Sequence, residues 1–225
     1  MRFRAHWLLP LAALLPAASA PAAVQDGPAG FRSIELRGGG TVTVRYGATR
    51  TVTVRSGDPA SRPIRDEGDR LVIDRCQPRC SHRQPFEVEI ITPELAGLAV
   101  SDGGRIRVLG DFPAQPAVAA SVSSGGMIDM RALEAGRLSA AVAHGGLIYA
   151  RPRDTLAASI SNGGLITYWG EAASVSSTVR HGGAVVRGKA ADLRRPVEAF
   201  DPTLQTPHAP PAVPAVPALR TRVTP

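Results

Sequence analysis

Apolar residues in this chain recur at every second position over short stretches, and the stretches themselves recur. Five segments align without gaps: Val100-Ser-Asp-Gly-Gly-Arg-Ile106, Val122-Ser-Ser-Gly-Gly-Met-Ile128, Val142-Ala-His-Gly-Gly-Leu-Ile148, Ile160-Ser-Asn-Gly-Gly-Leu-Ile166 and Val179-Arg-His-Gly-Gly-Ala-Val185. Their second glycines fall at 104, 126, 146, 164 and 183, in steps of 22, 20, 18 and 19 residues. Eight residues before that glycine stand Ala96, Val118, Leu138, Leu156 and Val175, and six before it Leu98, Ala120, Ala140, Ala158 and Ser177. Apolar or small residues at minus eight, minus six and minus four are the period-two signature of a strand burying one face. The isoleucine or valine at plus two opens a second strand.

Near-constant spacing of this kind marks a repeat architecture. The pattern predicts an all-β chain, a β-solenoid resembling a parallel β-helix, with about five regular coils of 18–22 residues and a less regular N-terminal β part. Each coil reads as strand, Gly-Gly corner, strand, loop. Stacking would put equivalent residues about 4.8 Å apart, turning the aliphatic columns into continuous ladders. The paired glycines, Gly103 and Gly104, Gly125 and Gly126, Gly145 and Gly146, Gly163 and Gly164, Gly182 and Gly183, are read as structural turn residues, because a sharp corner needs positive φ or close backbone approach. A degenerate earlier copy, Ile34-x-Leu36-x-Gly-Gly-Gly40-x-Val42-x-Val44, adds Gly39 and Gly40 to that set. Val52-Thr-Val54, Leu71-Val-Ile73 and Phe86-Glu-Val-Glu-Ile90 supply further alternating strands. No Gly-Lys-Ser/Thr follows any glycine pair, so a phosphate loop is not indicated.

The ends differ from the body. Residues 1–20 carry Arg2 and Arg4, an apolar run from Trp7 to Leu15 and the small residues Ala17-Ala18-Ser19-Ala20, which is the order of a secretory signal peptide. Residues 21–28 read as a short linker, 29–195 as the repeat domain, and 196–225 as a Pro-rich disordered tail with eight of the twenty prolines. No window of the mature chain is apolar for the eighteen or so residues that a membrane-spanning helix needs. The predicted location is exported, in the periplasm or secreted to the cell surface.

The net charge of +7 falls to +5 without the two signal arginines, and 25 of the 26 basic residues are Arg. They are scattered rather than clustered with aromatics, which argues against a nucleic-acid partner.

With these residues in view, the chain resembles the bacterial family of auto-transporter adhesins with a head GIN domain. The resemblance rests on Phe31-Arg-Ser-Ile34-Glu-Leu36, Gly38-Gly-Gly-Thr-Val42, Leu71-Val-Ile73 and Thr92-Pro93-Glu-Leu95-Ala-Gly-Leu98-Ala-Val100, and spans roughly residues 29–190. It implies an exported β-solenoid domain and says little about activity. The chain departs from the family pattern in having Gly-Gly where many members carry Gly-x-Gly, and no segment is long enough to be a translocating barrel.

Chemistry is sparse. Cys76 and Cys80 flank a loop and read as a disulfide in an oxidising compartment; a metal site with His82 is the alternative and lacks a fourth ligand. A polar column, Asp102, Ser124, His144, Asn162 and His181, precedes the first glycine of each repeat. Such residues serve corners through local hydrogen bonds, and the same stripe is a candidate ligand face for glycan hydroxyls. Its histidines are too far apart to share an ion, and no metal or other cofactor is expected. Tyr149, Tyr168 and Trp169 follow the repeat isoleucines, as edge packing or as rings that stack on sugar. Asp102, Asp129, Asp154 and Glu171 sit at different offsets and form no paired acid and base. No catalytic residue is assigned. The reading is a non-enzymatic envelope or surface module binding a glycan or a surface protein; the alternative is a polysaccharide-degrading enzyme on a β-helix scaffold.

Overall fold

The computed structural model describes residues 24–26, 30–75 and 85–193. Cys76, Cys80 and His82 lie outside the described residues, as do residues 1–20, predicted to be a signal segment, and the Pro-rich residues 196–225. The strands are β1 (Val24–Asp26), β2 (Ser33–Arg37), β3 (Thr41–Tyr46), β4 (Thr51–Ser56), β5 (Ile64–Asp66), β6 (Arg70–Ile73), β7 (Glu87–Thr92), β8 (Gly97–Ser101), β9 (Arg105–Leu109), β10 (Phe112–Ser123), β11 (Met127–Ala143), β12 (Leu147–Ser161), β13 (Leu165–Tyr168), β14 (Ser174–Arg180) and β15 (Ala184–Arg187). A 3-10 turn, Ala190–Asp192, follows.

Equivalent repeat residues pair in parallel. Val100, Val122, Val142, Ile160 and Val179 are successive partners across β8, β10, β11, β12 and β14. Ile106, Ile128, Ile148, Ile166 and Val185 are successive partners across β9, β11, β12, β13 and β15. The first four members of each column are at most 2% exposed. Burying each such aliphatic side chain contributes on the order of 1.5–3 kcal/mol. Phe31, Leu71, Ile90, Leu95, Met130 and Leu133 complete the same core.

The expectation of a regular parallel β-helix of five coils is corrected by the topology. The fifteen described strands join one continuous mixed sheet, ten strands of which curl strongly through 292° into a half-barrel. Two findings account for this. The N-terminal part is not a set of looser coils: β4 pairs antiparallel with both β1 and β7, and β5 pairs antiparallel with β6. Nor do loops separate the middle repeats, because β10, β11 and β12 run for 12, 17 and 15 residues through the stretches where loops were expected. Register shifts between Phe112 and Gln115, between Asp129 and Glu134 and between Ala135 and Arg137 bend these strands while they stay paired. One strand thus serves two parts of the sheet, β11 pairing with β9 through its first residues and with β10 through the rest.

The corners join β8 to β9, β10 to β11, β11 to β12, β12 to β13 and β14 to β15. At each, the residue after the second glycine donates its N–H to the second glycine of the row before: Met127 to Gly104 (2.9 Å), Leu147 to Gly126, Leu165 to Gly146 (3.0 Å each) and Ala184 to Gly164 (3.1 Å). This approach leaves no room for a side chain. A Cβ at Gly126 would lie 2.6 Å from Val100 Cγ1 and 2.8 Å from the Gly104 carbonyl oxygen, and one at Gly146 would overlap Val122 Cγ1.

Candidate functional site

The corner column is built by the backbone first. Asp102, Ser124, His144, Asn162 and His181 have φ between 54° and 60°, and they are the non-glycine residues with positive φ among those described. Asn, Asp and His are the side-chain-bearing residues that most readily enter this left-handed region, which accounts for four of the five identities. Each of the first four donates its backbone N–H to the next row, Asp102 to Ser123 (3.1 Å), Ser124 to Ala143 (3.0 Å), His144 to Ser161 (3.0 Å) and Asn162 to Arg180 (3.1 Å). The five side chains are exposed along one edge, one strand spacing of about 4.8 Å apart. Gly38, with φ 80°, stands at the head of the column, and Arg75 reaches across it to Asp102 (3.0 Å). Gly103, Gly125, Gly145, Gly163 and Gly182 come next and meet nothing where a Cβ would sit; Gly164 and Gly183 are closed by Val142 and Ile160, and Gly104 by Leu36. Gly39 is open, and Gly40 faces the Phe86 carbonyl.

The strand face beside this edge is small and polar. Its outward residues include Ala99, Ser121, Ala141, Ser159 and Thr178 in one row, and Ser101, Ser123, Ala143 and Ser161 in another. Between Glu35 and Arg37 of β2 at one end and Arg180 of β14 at the other, these two rows carry only Ala, Ser and Thr.

A second cluster covers the outer face of the strands beyond the corner. Asp129 and Arg131 form a bidentate pair (Nε to Oδ1 and Nη2 to Oδ2, both 2.8 Å) with side chains under 10% exposed. The Arg131 guanidinium lies 5.6 Å from the Tyr149 ring and 5.5 Å from the Trp169 ring, an arrangement worth about 2 kcal/mol when desolvated. It also donates to the Asp192 carbonyl (3.0 Å), while Trp169 Nε1 donates to the Lys189 carbonyl (2.9 Å). Residues 188–193 are thereby latched over the sheet, with Leu193 packed against Tyr149 and Trp169. Burial pushes the Tyr149 hydroxyl above its ordinary value, the Arg131 charge opposing the shift. A cavity of about 530 Å³ opens beside the latch, lined by Arg107, Asp111, Asp129, Arg131, Arg151 and Leu193 among others.

Tyr149 and Trp169 are therefore buried at 2% exposure rather than held outward for a sugar, and Tyr168 packs against the main core. The four carboxylates do not meet. Asp102 pairs with Arg75, Asp129 with Arg131, Asp154 with Arg153 (3.0 Å) and Glu171 with Arg187. The hydrogen bond from Arg153 holds Asp154 below the usual carboxylate range. Among the described residues no three His, Cys, Asp or Glu side chains gather to hold a metal ion. No described helix is long and apolar enough to cross a membrane.

The latch cluster was missed in the sequence although a signal exists. Three residues after each second glycine stand Arg107, Asp129, Tyr149, Thr167 and Val186, and five after it Leu109, Arg131, Arg151, Trp169 and Gly188. Read as outward columns, these place Asp129 and Arg131 on one face, next to both rings.

What fold and site define is an all-β repeat module whose recurring geometry lies in its corners. Residues 114–172 match the family described as putative auto-transporter adhesin, head GIN domain, so the resemblance drawn from the sequence holds over that segment. A putative adhesin from Bacteroides fragilis NCTC 9343 is similar at 14% identity, covering 76% of this chain and 98% of that one, with a TM-score of 0.42. A putative adhesin from Parabacteroides merdae ATCC 43184 (14% identity, 75% and 96% covered, TM-score 0.35) and a putative lipid binding protein from Parabacteroides distasonis ATCC 8503 (13%, 76% and 98%, 0.31) are similar too. Comparison with curated proteins gives no match.

Proposed function

We propose that this chain is an exported, non-enzymatic module of the cell envelope or surface that binds an extended glycan or a surface protein. The binding edge is the corner column with the Ser/Ala face beside it. The observation that carries this reading is the register: five exposed polar side chains repeat at one strand spacing beside rows that carry only Ala, Ser and Thr between the β2 residues Glu35 and Arg37 and the β14 residue Arg180. A polymer with periodic hydroxyl groups can place donors and acceptors along such an edge, and many weak contacts then add. The pairing of every candidate carboxylate with an arginine leaves no acid and base facing each other, which favours binding over hydrolysis.

The test uses glycine substitutions, because glycine accepts the left-handed corner and removes only the side chain. The mature protein is titrated with envelope polysaccharide and peptidoglycan fractions, alongside His144→Gly/Asn162→Gly. The expected result is at least tenfold weaker binding with an unchanged melting temperature. Undiminished binding would sink the corner assignment, and release of shortened saccharides by the wild type would sink the non-enzymatic one. Export also carries an oxidised Cys76–Cys80 pair, seen as thiols that alkylate only after reduction; free thiols in the mature protein would remove it.

A further inference from the structure

The cavity beside the latch opens where two neighbouring rows leave register together. β11 pairs with β9 as far as Asp129, which stands opposite Arg107. From Asp129 to Glu134 β11 then advances five residues while β12 advances two, from Tyr149 to Arg151. In the row below, β9 ends at Leu109, Gly110 turns the chain at φ 81°, and β10 re-enters the sheet with Phe112 opposite Leu133. A bulge in one row above a turn in the next leaves a hollow between them, and bulges of this kind re-aim side chains. The hollow, about 530 Å³, has the size of a small-molecule site.

Charged groups reach it from three rows. Arg131 is committed to the wall, its Nε and Nη2 on Asp129 and its Nη1 on the Asp192 carbonyl. Arg107 enters half-buried from β9, Asp111 is exposed on the turn, and Arg151 enters from β12 with its side chain 40% exposed. Arg151 reaches Glu134 through Nη2 (2.7 Å). A guanidinium presents five N–H donors, so that one bond leaves a fork able to take a second carboxylate. Asp111, when ionised, is an acceptor only. Leu109 and Leu193 add an apolar patch to the same wall.

We propose that this cavity binds a sugar unit that carries a carboxylate, a uronic acid. The carboxylate sits on Arg107 and Arg151, a ring hydroxyl donates to Asp111, and the ring lies against Leu109 and Leu193. A simple anion would bring like charge to Asp111 and give it no donor. A neutral sugar would offer the arginines no charge to pair. The site is distinct from the corner edge and does not rest on it.

The test is isothermal titration calorimetry on the full mature chain, with glucuronate, glucose, acetate and inorganic phosphate as probes. It is repeated on Arg151→Gln, Asp111→Asn and Glu134→Gln, changes at exposed or half-exposed side chains whose folding is checked by an unchanged melting temperature. Glucuronate is expected to bind at least tenfold more tightly than the other three probes, and Arg151→Gln to weaken it at least tenfold, the loss of a charge-assisted hydrogen bond. Asp111→Asn should erase most of the preference for glucuronate over acetate. Glu134→Gln, which releases the Arg151 fork, should strengthen binding, and His144→Gly/Asn162→Gly should leave it unchanged. Phosphate binding as tightly as glucuronate would make this an inorganic anion site and overturn the sugar assignment. Glucuronate binding that Arg151→Gln and Asp111→Asn leave unmoved, or no binding of any probe, would overturn the proposal outright.

Discussion

The five left-handed corner residues show how one backbone requirement selects side chains. At φ near 56° a β-branched side chain is strained by about 1–2 kcal/mol. His144→Val is therefore expected to lower the stability of the mature protein by about 1 kcal/mol, while His144→Gly stays within about 0.5 kcal/mol of the wild type, both read from urea denaturation. Thr167 poses the opposite problem. Its hydroxyl, next to Tyr149 in the register, is buried without a hydrogen-bond partner among the described residues. Thr167→Val keeps the shape and removes the unsatisfied group, so a gain of about 1 kcal/mol is expected in the same measurement. Asp129 is the sensitive member of the outer cluster, since its loss strands the Arg131 guanidinium among Tyr149 and Trp169. Asp129→Ala is expected to cost about 3–5 kcal/mol, and Asp129→Leu combined with Arg131→Met considerably less.

At the scale of elements, the latch and the N-terminal strands respond to different perturbations. Gly188 lies against Trp169, and a Cβ there would overlap the indole atoms Cε2 and Nε1. Trp169 is one of two tryptophans, the other being Trp7 in the predicted signal segment. Gly188→Ala is thus expected to red-shift tryptophan emission in the mature protein as the latch opens. In β2 and β7 the carboxylates are held down by arginines. The hydrogen bond from Arg37 lowers Glu35, and that from Arg55 lowers Glu89, both below the ordinary 4.5. Because the folded values are the lower ones, their stabilisation is fully present above about pH 4.5 and is lost as pH falls through them. Glu35→Gln should flatten the acid limb of a melting-temperature profile and leave the neutral region level. The strands themselves were legible, because inward residues such as Val122, Val142 and Ile160 alternate and recur in register. What recurrence does not encode is how the chain travels between corners. It names neighbours across rows but not the long bent strands β10, β11 and β12, nor the antiparallel β4 and β5. The latch depends on residues 188–193 folding back onto β11 and β12, a contact that follows from no local pattern. The corner glycines were legible because a corner needs positive φ or close backbone approach; positive φ occurs at each of them except Gly39 and Gly104, and at Gly126 and Gly146 the neighbouring row's valine excludes a side chain as well.

For the whole molecule, that last contact has a wider meaning. The methyl of Val100 fills the space beside Gly126, Val122 that beside Gly146, Val142 that beside Gly164, and Ile160 that beside Gly183. Key and keyhole are carried by different repeats, each fitting the one that follows. Cutting out residues 146–163 joins Gly145 to Gly164 and sets the latter against Val122, the partner that Gly146 had before. Such a chain, one repeat shorter, is expected to unfold cooperatively in calorimetry, while a deletion of nine residues at the same place is not. The length of this protein is thereby a quantity that unequal exchange between its own gene segments can raise or lower in whole steps, with no new interface to invent.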